Sequence, residues 1–441
     1  MKVRDIFSMD FLLLLAVGAL TVTGIFFIYS SGISSTSEQT SDEYIKQIVW
    51  GSVGFGLIVV LAALDYKRFY NISLYLYAAT LILLIYTFLF GKLVNGARAW
   101  LGFGSFGIQP SEFAKITTIV LLARHLDATK RKSSSFRRFF VACAIVFVPM
   151  GLILIQPDFG TSLVFIPILL VMTFIAGVRI RYVIFLTVWI ALTGILMALP
   201  LWQTYIMKTS FSPIMLLLDV RFIAVVCAAL AVIGGVALIG YLLYRKSCFF
   251  WIVYIITMVI FSFGASFAAH KVLKDYQIMR LIVFLDPEID PQGAGWNIIQ
   301  STTAIGSGGL MGRGFLQGTQ SHYRFLPQQS TDIIFSIFSE ESGFVGGIIV
   351  FALFLVINLR LIRIMRLASN PFGVYITAGL SSVFAFHFLV NVGMAMGIMP
   401  ITGIPLTFMS YGGSALLAAM IGIGLVESVY VRRLDFEALG V

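Results

Sequence analysis

The chain has 441 residues, of which 59% are hydrophobic and 11% are charged, and its formal net charge is +10 at pH 7. So few polar side chains could not cover a folded core in water, which excludes a soluble globular protein. The composition predicts an all-α, polytopic integral membrane protein, because runs of about 20 apolar residues cross a bilayer as helices.

Twelve apolar runs follow one another along the chain and predict twelve spans. They cover residues 11–30, 45–64, 70–90, 110–125, 138–156, 160–178, 182–200, 221–244, 248–269, 333–358, 374–397 and 406–431. The fourth run is short and carries Glu112, Lys115 and Arg124, so it can be a partial or tilted span. The first run is long enough to span, which predicts a signal anchor and not a cleaved signal peptide.

Positive charge is concentrated in every second connecting segment when the N-terminus, with Lys2 and Arg4, is taken as cytoplasmic. The basic segments carry Lys67, Arg68, Lys130, Arg131, Lys132, Arg137, Arg138, Arg179, Arg181, Arg245, Lys246, Arg360, Arg363, Arg366, Arg432 and Arg433. Cytoplasmic loops carry this excess, so the pattern predicts cytoplasmic N- and C-termini. The positive net charge is then explained by the basic residues of the cytoplasmic segments and does not indicate nucleic-acid binding. Residues 31–44, 91–109 and 270–332 are predicted to face outward.

The sequence NGARAWLGFGSFGIQPSEFAKI, residues 95–116, leads from an outward segment into the fourth run. Pro110 suits a helix start, and the spacing of Glu112 and Lys115 places both on one helical face, where they can neutralise each other. They predict either a buried structural ion pair or a polar patch that contacts a substrate head group. Arg98, in the outward segment, is a candidate ligand for an anionic group.

A further outward carboxylate is predicted in IQPDFGTS, residues 155–162. Pro157, Asp158 and Gly160 are ordinary turn formers, so a plain turn between two spans is the favoured interpretation. Asp158 nevertheless lies on the same predicted side as Asp332 and is a candidate substrate-binding residue.

The long outward segment 270–332 combines cations with glycines. Lys274, Arg280 and Arg313 are candidate phosphate ligands, and five glycines lie between Gly306 and Gly314. Glycine-rich backbone beside cations can bind phosphate, but the sequence has no Gly-Lys-Ser/Thr ending of a nucleotide-binding loop. A connection of about 60 residues is long enough to favour a functional role.

Residues 397–428 hold Pro400 and Pro405, followed by small residues that include Gly412 and Gly413. The prolines predict a helix break before the last span, and the small residues predict close helix packing.

Asp332 stands in FLPQQSTDIIFSIFSEESG, where the long polar segment gives way to an apolar run. A carboxylate at the lip of a membrane helix is costly unless it is solvated, paired or used in chemistry. This residue is therefore the first candidate for a catalytic role.

Taken in order, these stretches resemble one family, the SEDS proteins of shape, elongation, division and sporulation, which are polytopic glycosyltransferases of peptidoglycan synthesis. The resemblance rests on GARAWL with IQPSEFAKI, QPDFGTS, FLDPE with GAGWNIIQS, AIGSGGLMGRGFLQGTQS, FLPQQSTDIIF with EESGF, and MPITGIPLTFMSYGGSA. It covers most of the chain, and GFLQGTQS followed by FLP is more like the elongation branch of the family than the division branch.

The resemblance implies a peptidoglycan glycosyltransferase that polymerises lipid II into glycan strands on the outer face of the bacterial cytoplasmic membrane during cell elongation. It implies Asp332 as catalytic base or orienting carboxylate and gives Glu112 and Lys115 a functional role. The family pattern commonly has an acidic residue and a histidine where this chain has Gln328 and Ser330, so a role for that histidine does not carry over.

The resemblance further implies lipid II as substrate, a class B penicillin-binding protein transpeptidase as partner, and a place in the elongation machinery. It fixes no cofactor, although a Mg²⁺ or Mn²⁺ ion held by Asp332 would stabilise a leaving pyrophosphate. His387, inside a span, is favoured as a hydrogen-bonded packing residue over a proton relay.

Two other functions stay open from the residues alone. A flippase that moves lipid II across the bilayer is suggested by Glu112, Lys115 and Arg124 within an apolar region. A secondary transporter is less favoured, because the sequence has no clear inverted repeat of broken helices. An outward-facing catalytic aspartate favours the transferase over both.

SEDS proteins usually form a bundle of ten spans, so the resemblance implies two extra spans here. We divide the chain into an N-terminal seven spans (1–200), an inserted transmembrane hairpin (201–269), a large extracytoplasmic segment (270–332), and three C-terminal spans with a short cytoplasmic tail (333–441). An even number of added spans leaves the orientation of every motif unchanged.

Overall fold

The computed structural model describes residues 8–33, 39, 41–94, 97–102, 107–130, 134–207, 214, 216–272, 275–293, 295–323 and 329–433. Its first elements are α1 (Phe11–Ser31), α2 (Glu43–Ala63), α3 (Arg68–Phe90), β1 (Lys92–Val94), β2 (Ala97–Trp100), α4 (Pro110–Ala128), α5 (Ser135–Ile155), α6 (Phe159–Leu163) and α7 (Phe165–Ile175). The two strands form an antiparallel hairpin in which Leu93 is opposite Arg98.

The second half of the chain is also helical. Its elements are α8 (Ile180–Trp202), a π-helical turn (Gln203–Met207), a 3₁₀ turn (Leu216–Leu218), α9 (Val220–Tyr244), α10 (Ser247–Val272), α11 (Asp275–Leu285), a second 3₁₀ turn (Pro287–Ile289), α12 (Trp296–Ser307), α13 (Thr319–His322), α14 (Ile334–Leu367), α15 (Pro371–Ala395) and α16 (Gly413–Val431).

A helix occupies each of the twelve places where the sequence predicts a span. Within the described residues, ten helices are long and apolar enough to cross a membrane. The other two places hold α4, which carries Glu112, Lys115 and Arg124, and the shorter apolar stretch Phe159–Ile175. The prediction of an all-α polytopic membrane protein is therefore confirmed.

The predicted start of the last span is wrong. The last span was expected from residue 406, but α16 begins at Gly413, and residues 400–412 form an irregular segment. Pro405 has no N–H for a helix, and the carbonyls of Ile404 and of Pro405 itself bond side chains of α15 instead. The long segment 270–332 contains three helices, α11, α12 and α13.

The chain divides into two compact units. The first contains Met1–Val178 and Gln300–Val441. In it α16 packs on α2, α14 on both α1 and α15, and α15 also on α4 and α7. Of the long apolar helices, α15 and α16 are the most buried, so they form the centre of this unit.

The second unit contains Arg179–Ile299. In it α10 packs against both α8 and α9, and the Tyr254 hydroxyl donates to the Arg181 carbonyl at 2.6 Å. This unit begins before the predicted inserted hairpin and ends after it. The division into four segments at residues 200, 269 and 332 stays a prediction.

Candidate active site

Asp332 lies just before α14, with Ile333 between them, and is half-buried. Its main-chain carbonyl accepts a hydrogen bond from Nδ2 of Asn391 at 2.8 Å. Gly403 lies beside the carboxylate, because a Cβ built at Gly403 would stand 3.3 Å from Oδ2 of Asp332. Gly403 also has a φ of +72°, a conformation that glycine adopts without steric cost. The irregular segment 400–412 therefore approaches the carboxylate closely.

Glu112 and Lys115 form a buried ion pair on α4, with Nζ of Lys115 2.8 Å from Oε2 and 2.9 Å from Oε1 of Glu112. The Nζ atom also lies 3.3 Å from Nε2 of His387, a buried residue of α15. The other ring nitrogen of His387 is 3.3 Å from the Pro405 carbonyl oxygen. The ion pair expected from the spacing thus forms, and His387 gives it a third member that the sequence did not indicate.

These three side chains line a small cavity of about 20 Å³. The segment 400–412 supplies further lining residues, including Pro405, Thr407 and Ser410. A cavity of this size has room for about one water molecule. The hydroxyl of Thr407 is buried and has no hydrogen-bond partner among the described residues.

Asp158 caps α6, where its Oδ1 accepts from the Thr161 N–H at 3.2 Å. Its Oδ2 accepts from Nε2 of Gln109, the residue before α4, at 2.8 Å. Burial raises the pKa of Asp158, the nearby Glu112 charge raises it further, and the hydrogen bonds from Thr161 oppose the rise. Asp158 is therefore both a turn residue, as the sequence favoured, and a carboxylate in the electrostatic field of the Glu112–Lys115 pair.

The segment 400–412 connects these groups physically. Its Ile404 carbonyl accepts from Asn391 at 2.8 Å, and the next carbonyl, of Pro405, bonds His387. The Thr402 carbonyl packs directly on Gly160, two residues after Asp158. The sequence suggested mainly a packing role for these residues, whereas the structure makes their backbone the common neighbour of all three sites.

The remaining predicted substrate ligands are dispersed. Arg98 is exposed on β2, and no ion pair joins it to another residue in the described ranges. Arg280 is half-exposed on α11 in the second unit. Lys274, like the Gln328 noted as a departure from the family pattern, lies outside the described residues. The roles of these side chains stay predictions.

Arg313 contacts Glu340 of α14. Its side chain donates to the Thr319 hydroxyl at 3.0 Å and lies 3.9 Å from Oε1 of Glu340. Glu340 is fully buried, and the same oxygen accepts from the N–H groups of Thr319 and Gln320 at 2.7 and 3.0 Å. In the part of the chain that the structure describes, Arg313 therefore anchors the glycine-rich stretch to α14.

Sequence reasoning did not single out Glu340 or Glu341 as site residues. Glu341 accepts from the Ser30 hydroxyl at 2.5 Å and from the Leu316 N–H at 3.1 Å. At Gly343 α14 has non-helical φ of +67°, and a Cβ there would collide with the backbone of Gly312. Two adjacent carboxylates inside an apolar run were the available signal.

A protein-only metal site does not fit the residues that surround Asp332. Across the described ranges, no group of three or more His, Cys, Asp or Glu side chains is placed to hold an ion. An all-protein cage for an ion is therefore absent from the described residues, whereas Mg²⁺ is commonly held by one or two carboxylates together with substrate phosphates. A Mg²⁺ or Mn²⁺ ion held by Asp332 stays a prediction.

Comparison with known proteins gives one family and a set of full-length relatives. The family model for cell cycle proteins of the FtsW/RodA/SpoVE type matches residues 10–219 and 207–434. Peptidoglycan glycosyltransferase RodA of Treponema pallidum (strain Nichols) is 50% identical over 436 residues, which is 98% of this chain and 100% of that protein. Peptidoglycan glycosyltransferase MrdB of Escherichia coli (strain K12) is 32% identical over 97% of this chain and 95% of that protein.

A solved structure has the same architecture. A chain in a structure on the coordination of polymerization and crosslinking by a peptidoglycan synthase complex has a TM-score of 0.65 and 24% identity, covering 97% of this chain and 99% of that chain. At this level of identity the likeness establishes the fold.

Proposed function

The chain belongs to the FtsW/RodA/SpoVE family of cell cycle proteins, and from that premise we propose that it polymerises lipid II at a site built around Asp332. It is a multi-pass membrane protein and a peptidoglycan glycosyltransferase, the activity named for its full-length relatives. The family predicted from the motifs is confirmed, and so is the branch that resembles RodA more than FtsW.

The reaction has two chemical demands. A hydroxyl oxygen of the acceptor sugar forms a bond to the anomeric carbon of the donor as the bond from that carbon to the polyprenyl pyrophosphate breaks. The hydroxyl must lose its proton, and the pyrophosphate must leave with its negative charge stabilised. Asp332 takes or orients the hydroxyl proton, and attack opposite the leaving group inverts the anomeric configuration.

The observation that supports this site is the shared contact made by residues 400–412. At Gly403 this segment leaves space for no more than a Cβ before the Asp332 carboxylate, and at Pro405 it bonds His387, which in turn contacts Lys115. One segment of backbone thus lies next to both a proton acceptor and the partner of a buried cation. We assign Lys115, with Glu112 as its counter-charge, to binding the substrate head group, and Arg98, Lys274, Arg280 and Arg313 to binding the pyrophosphate.

The charge pattern supports the proposed location of the protein, and a structural relative supports the proposed partner. The charge pattern supports a cytoplasmic-membrane protein with both termini inside and Asp332 on the outer face. The structural relative comes from a synthase complex that combines polymerization with crosslinking. We propose the same arrangement here, with a class B penicillin-binding protein that crosslinks the strands as part of the elongation machinery.

The function is tested by reconstitution. The purified full-length protein is placed in liposomes with labelled lipid II, with and without its class B penicillin-binding protein, and glycan polymer is resolved by gel electrophoresis. We expect polymer from the wild type, strongest with the partner present. A wild type that makes no polymer with the partner and either Mg²⁺ or Mn²⁺ present would overturn the proposal.

The same liposomes test the flippase alternative. The buried Glu112–Lys115 pair is the observation that favours lipid transport, because it places polar groups between apolar helices. Transport would expose inner-leaflet lipid II to an added membrane-impermeant probe without forming polymer. We expect polymer without accelerated exposure.

A further inference from the structure

Two polar side chains on α15 are buried and lie one helical turn apart. His387 is 4% exposed and Asn391 is fully buried. Residues four apart share one face of an α-helix, so both side chains point to the same neighbours. Polar groups inside a membrane span are costly unless they are paired or used.

Asn391 connects Asp332 to the segment 400–412 through two hydrogen bonds. Its Nδ2 donates to the carbonyl of Asp332 and to the carbonyl of Ile404, each at 2.8 Å. An amide nitrogen has two protons, so one side chain satisfies both acceptors. A single side-chain amide therefore connects Asp332 to the segment 400–412.

His387 ties Lys115 to the same segment. The Pro405 carbonyl can only accept, so the hydrogen bond at 3.3 Å requires the proton on Nδ1 of His387. In the neutral ring Nε2 is then an acceptor, and the Lys115 ammonium 3.3 Å away donates to it. Unlike a packing residue, this histidine has a fixed tautomer and a charged partner.

The two connections meet on consecutive residues, since Asn391 bonds the carbonyl of Ile404 and His387 bonds that of Pro405. We infer that Asn391 and His387 are positioning residues of the transferase, with Asn391 placing Asp332 and His387 placing Lys115 relative to one backbone element. Neither contacts the reacting atoms. The inference rests on the proposed function. It adds that these two side chains set the position of Asp332, the proton acceptor, relative to Lys115, the cation.

The two residues have different kinetic signatures. Asn391→Leu removes both donors, displaces Asp332 and lowers kcat by about 10- to 100-fold at unchanged KM, because Asp332 acts in the chemical step. His387→Leu frees Lys115 and raises KM for lipid II by about tenfold with a smaller change in kcat, because Lys115 binds the head group before and during reaction.

Conservative and matched variants separate positioning from packing. His387→Gln keeps one acceptor and one donor and restores most of the lost affinity, whereas His387→Leu keeps the bulk alone. Asn358→Leu removes a part-buried amide that donates to the Phe354 carbonyl and accepts from Ser381 of α15, and His125→Leu removes a histidine that bonds the Arg138 carbonyl. Both controls are expected to polymerise lipid II at the wild-type rate.

The experiment measures kcat, KM and melting temperature for each full-length variant in the reconstituted polymerisation assay. The opposite kinetic signatures with rescue by His387→Gln support the inference. Wild-type kinetics in both α15 variants, or losses that simply follow melting temperature and appear equally in the controls, overturn it while leaving the function intact. If Asn391→Leu does not accumulate, Asn391→Ser is measured, and an unchanged kcat overturns the inference. A wild type without polymer overturns both.

Discussion

Two ion pairs of the first unit differ in what surrounds them. Asp10, before α1, binds Arg360 of α14 through Nε at 3.0 and 2.8 Å, and its N–H donates to Glu427 of α16 at 2.9 Å. The Lys115 ammonium, in contrast, contacts both the Glu112 carboxylate and the His387 ring, and these three side chains line a small cavity.

The difference shows why burial of charge alone does not identify a site. Arg360 binds the Asp10 carboxylate through Nε and one terminal nitrogen, and the Asp10 N–H adds a bond to Glu427, so the cluster connects α14 and α16 to the start of α1. The Glu112–Lys115 pair lies within one helix, so it adds little to the joining of helices. Its lysine instead contacts His387, whose other ring nitrogen bonds the Pro405 carbonyl. We therefore interpret the first pair as a structural lock and the second as binding machinery.

The largest expected effect on stability is at the Asp10–Arg360 pair. Arg360→Met leaves the Asp10 carboxylate buried and unpaired, which should lower the free energy of unfolding by about 3–5 kcal/mol. The melting temperature in detergent measures this loss. The double variant Asp10→Asn with Arg360→Met should recover much of it and polymerise lipid II within about twofold of the wild type. A double variant that is stable but inactive would contradict the comparison.

The matching change at the other pair should have the reverse result. Glu112→Gln combined with Lys115→Met removes both charges together, so the melting temperature should stay within a few degrees of the wild type. Polymerisation should fall by about 100-fold, because the cation that binds the substrate is lost. Normal polymerisation by a well-folded double variant would make this pair structural too.

A smaller effect is expected at Gly403. Gly403→Ala adds a Cβ 3.3 Å from Oδ2 of Asp332 at a φ of +72°, and it should lower kcat by about tenfold. Gly177→Ala is the control, because Gly177 has a φ of +70° with open space around it. Both variants pay a backbone cost of about 1–2 kcal/mol, but only Gly403→Ala should slow polymerisation. Equal kinetics in the two would show that the close approach to Asp332 is incidental.

The smallest effect concerns Asp158. Burial raises its pKa, so the folded protein binds this proton more tightly than the unfolded chain does. The stability that Asp158 contributes therefore falls as the pH rises from the ordinary aspartate pKa through the folded one. Asp158→Asn should match the wild type at low pH and melt about 2–4 °C higher at neutral pH. A variant that melts lower at every pH would show that the carboxylate's hydrogen bonds outweigh its burial.

Sequence patterns predicted the helices because membrane spans depend on local composition. Spacing also predicted the contact of Glu112 with Lys115, which lie within one turn of α4. The meeting of Asp332, Asn391 and the Ile404 carbonyl was not predictable, because it depends on tertiary contacts between separate elements. The available signal was the pair of polar residues on one face of α15.

The central claim is that the Asp332 carboxylate carries out proton transfer or hydroxyl alignment in glycan polymerisation. Its most direct test is the single-turnover rate of Asp332→Asn in liposomes saturated with lipid II, beside a binding measurement on the same sample. We predict lipid II affinity within a few-fold of the wild type and a polymerisation rate lower by at least about 1,000-fold. An Asp332→Asn variant that binds lipid II and polymerises it at a rate near that of the wild type would contradict the account.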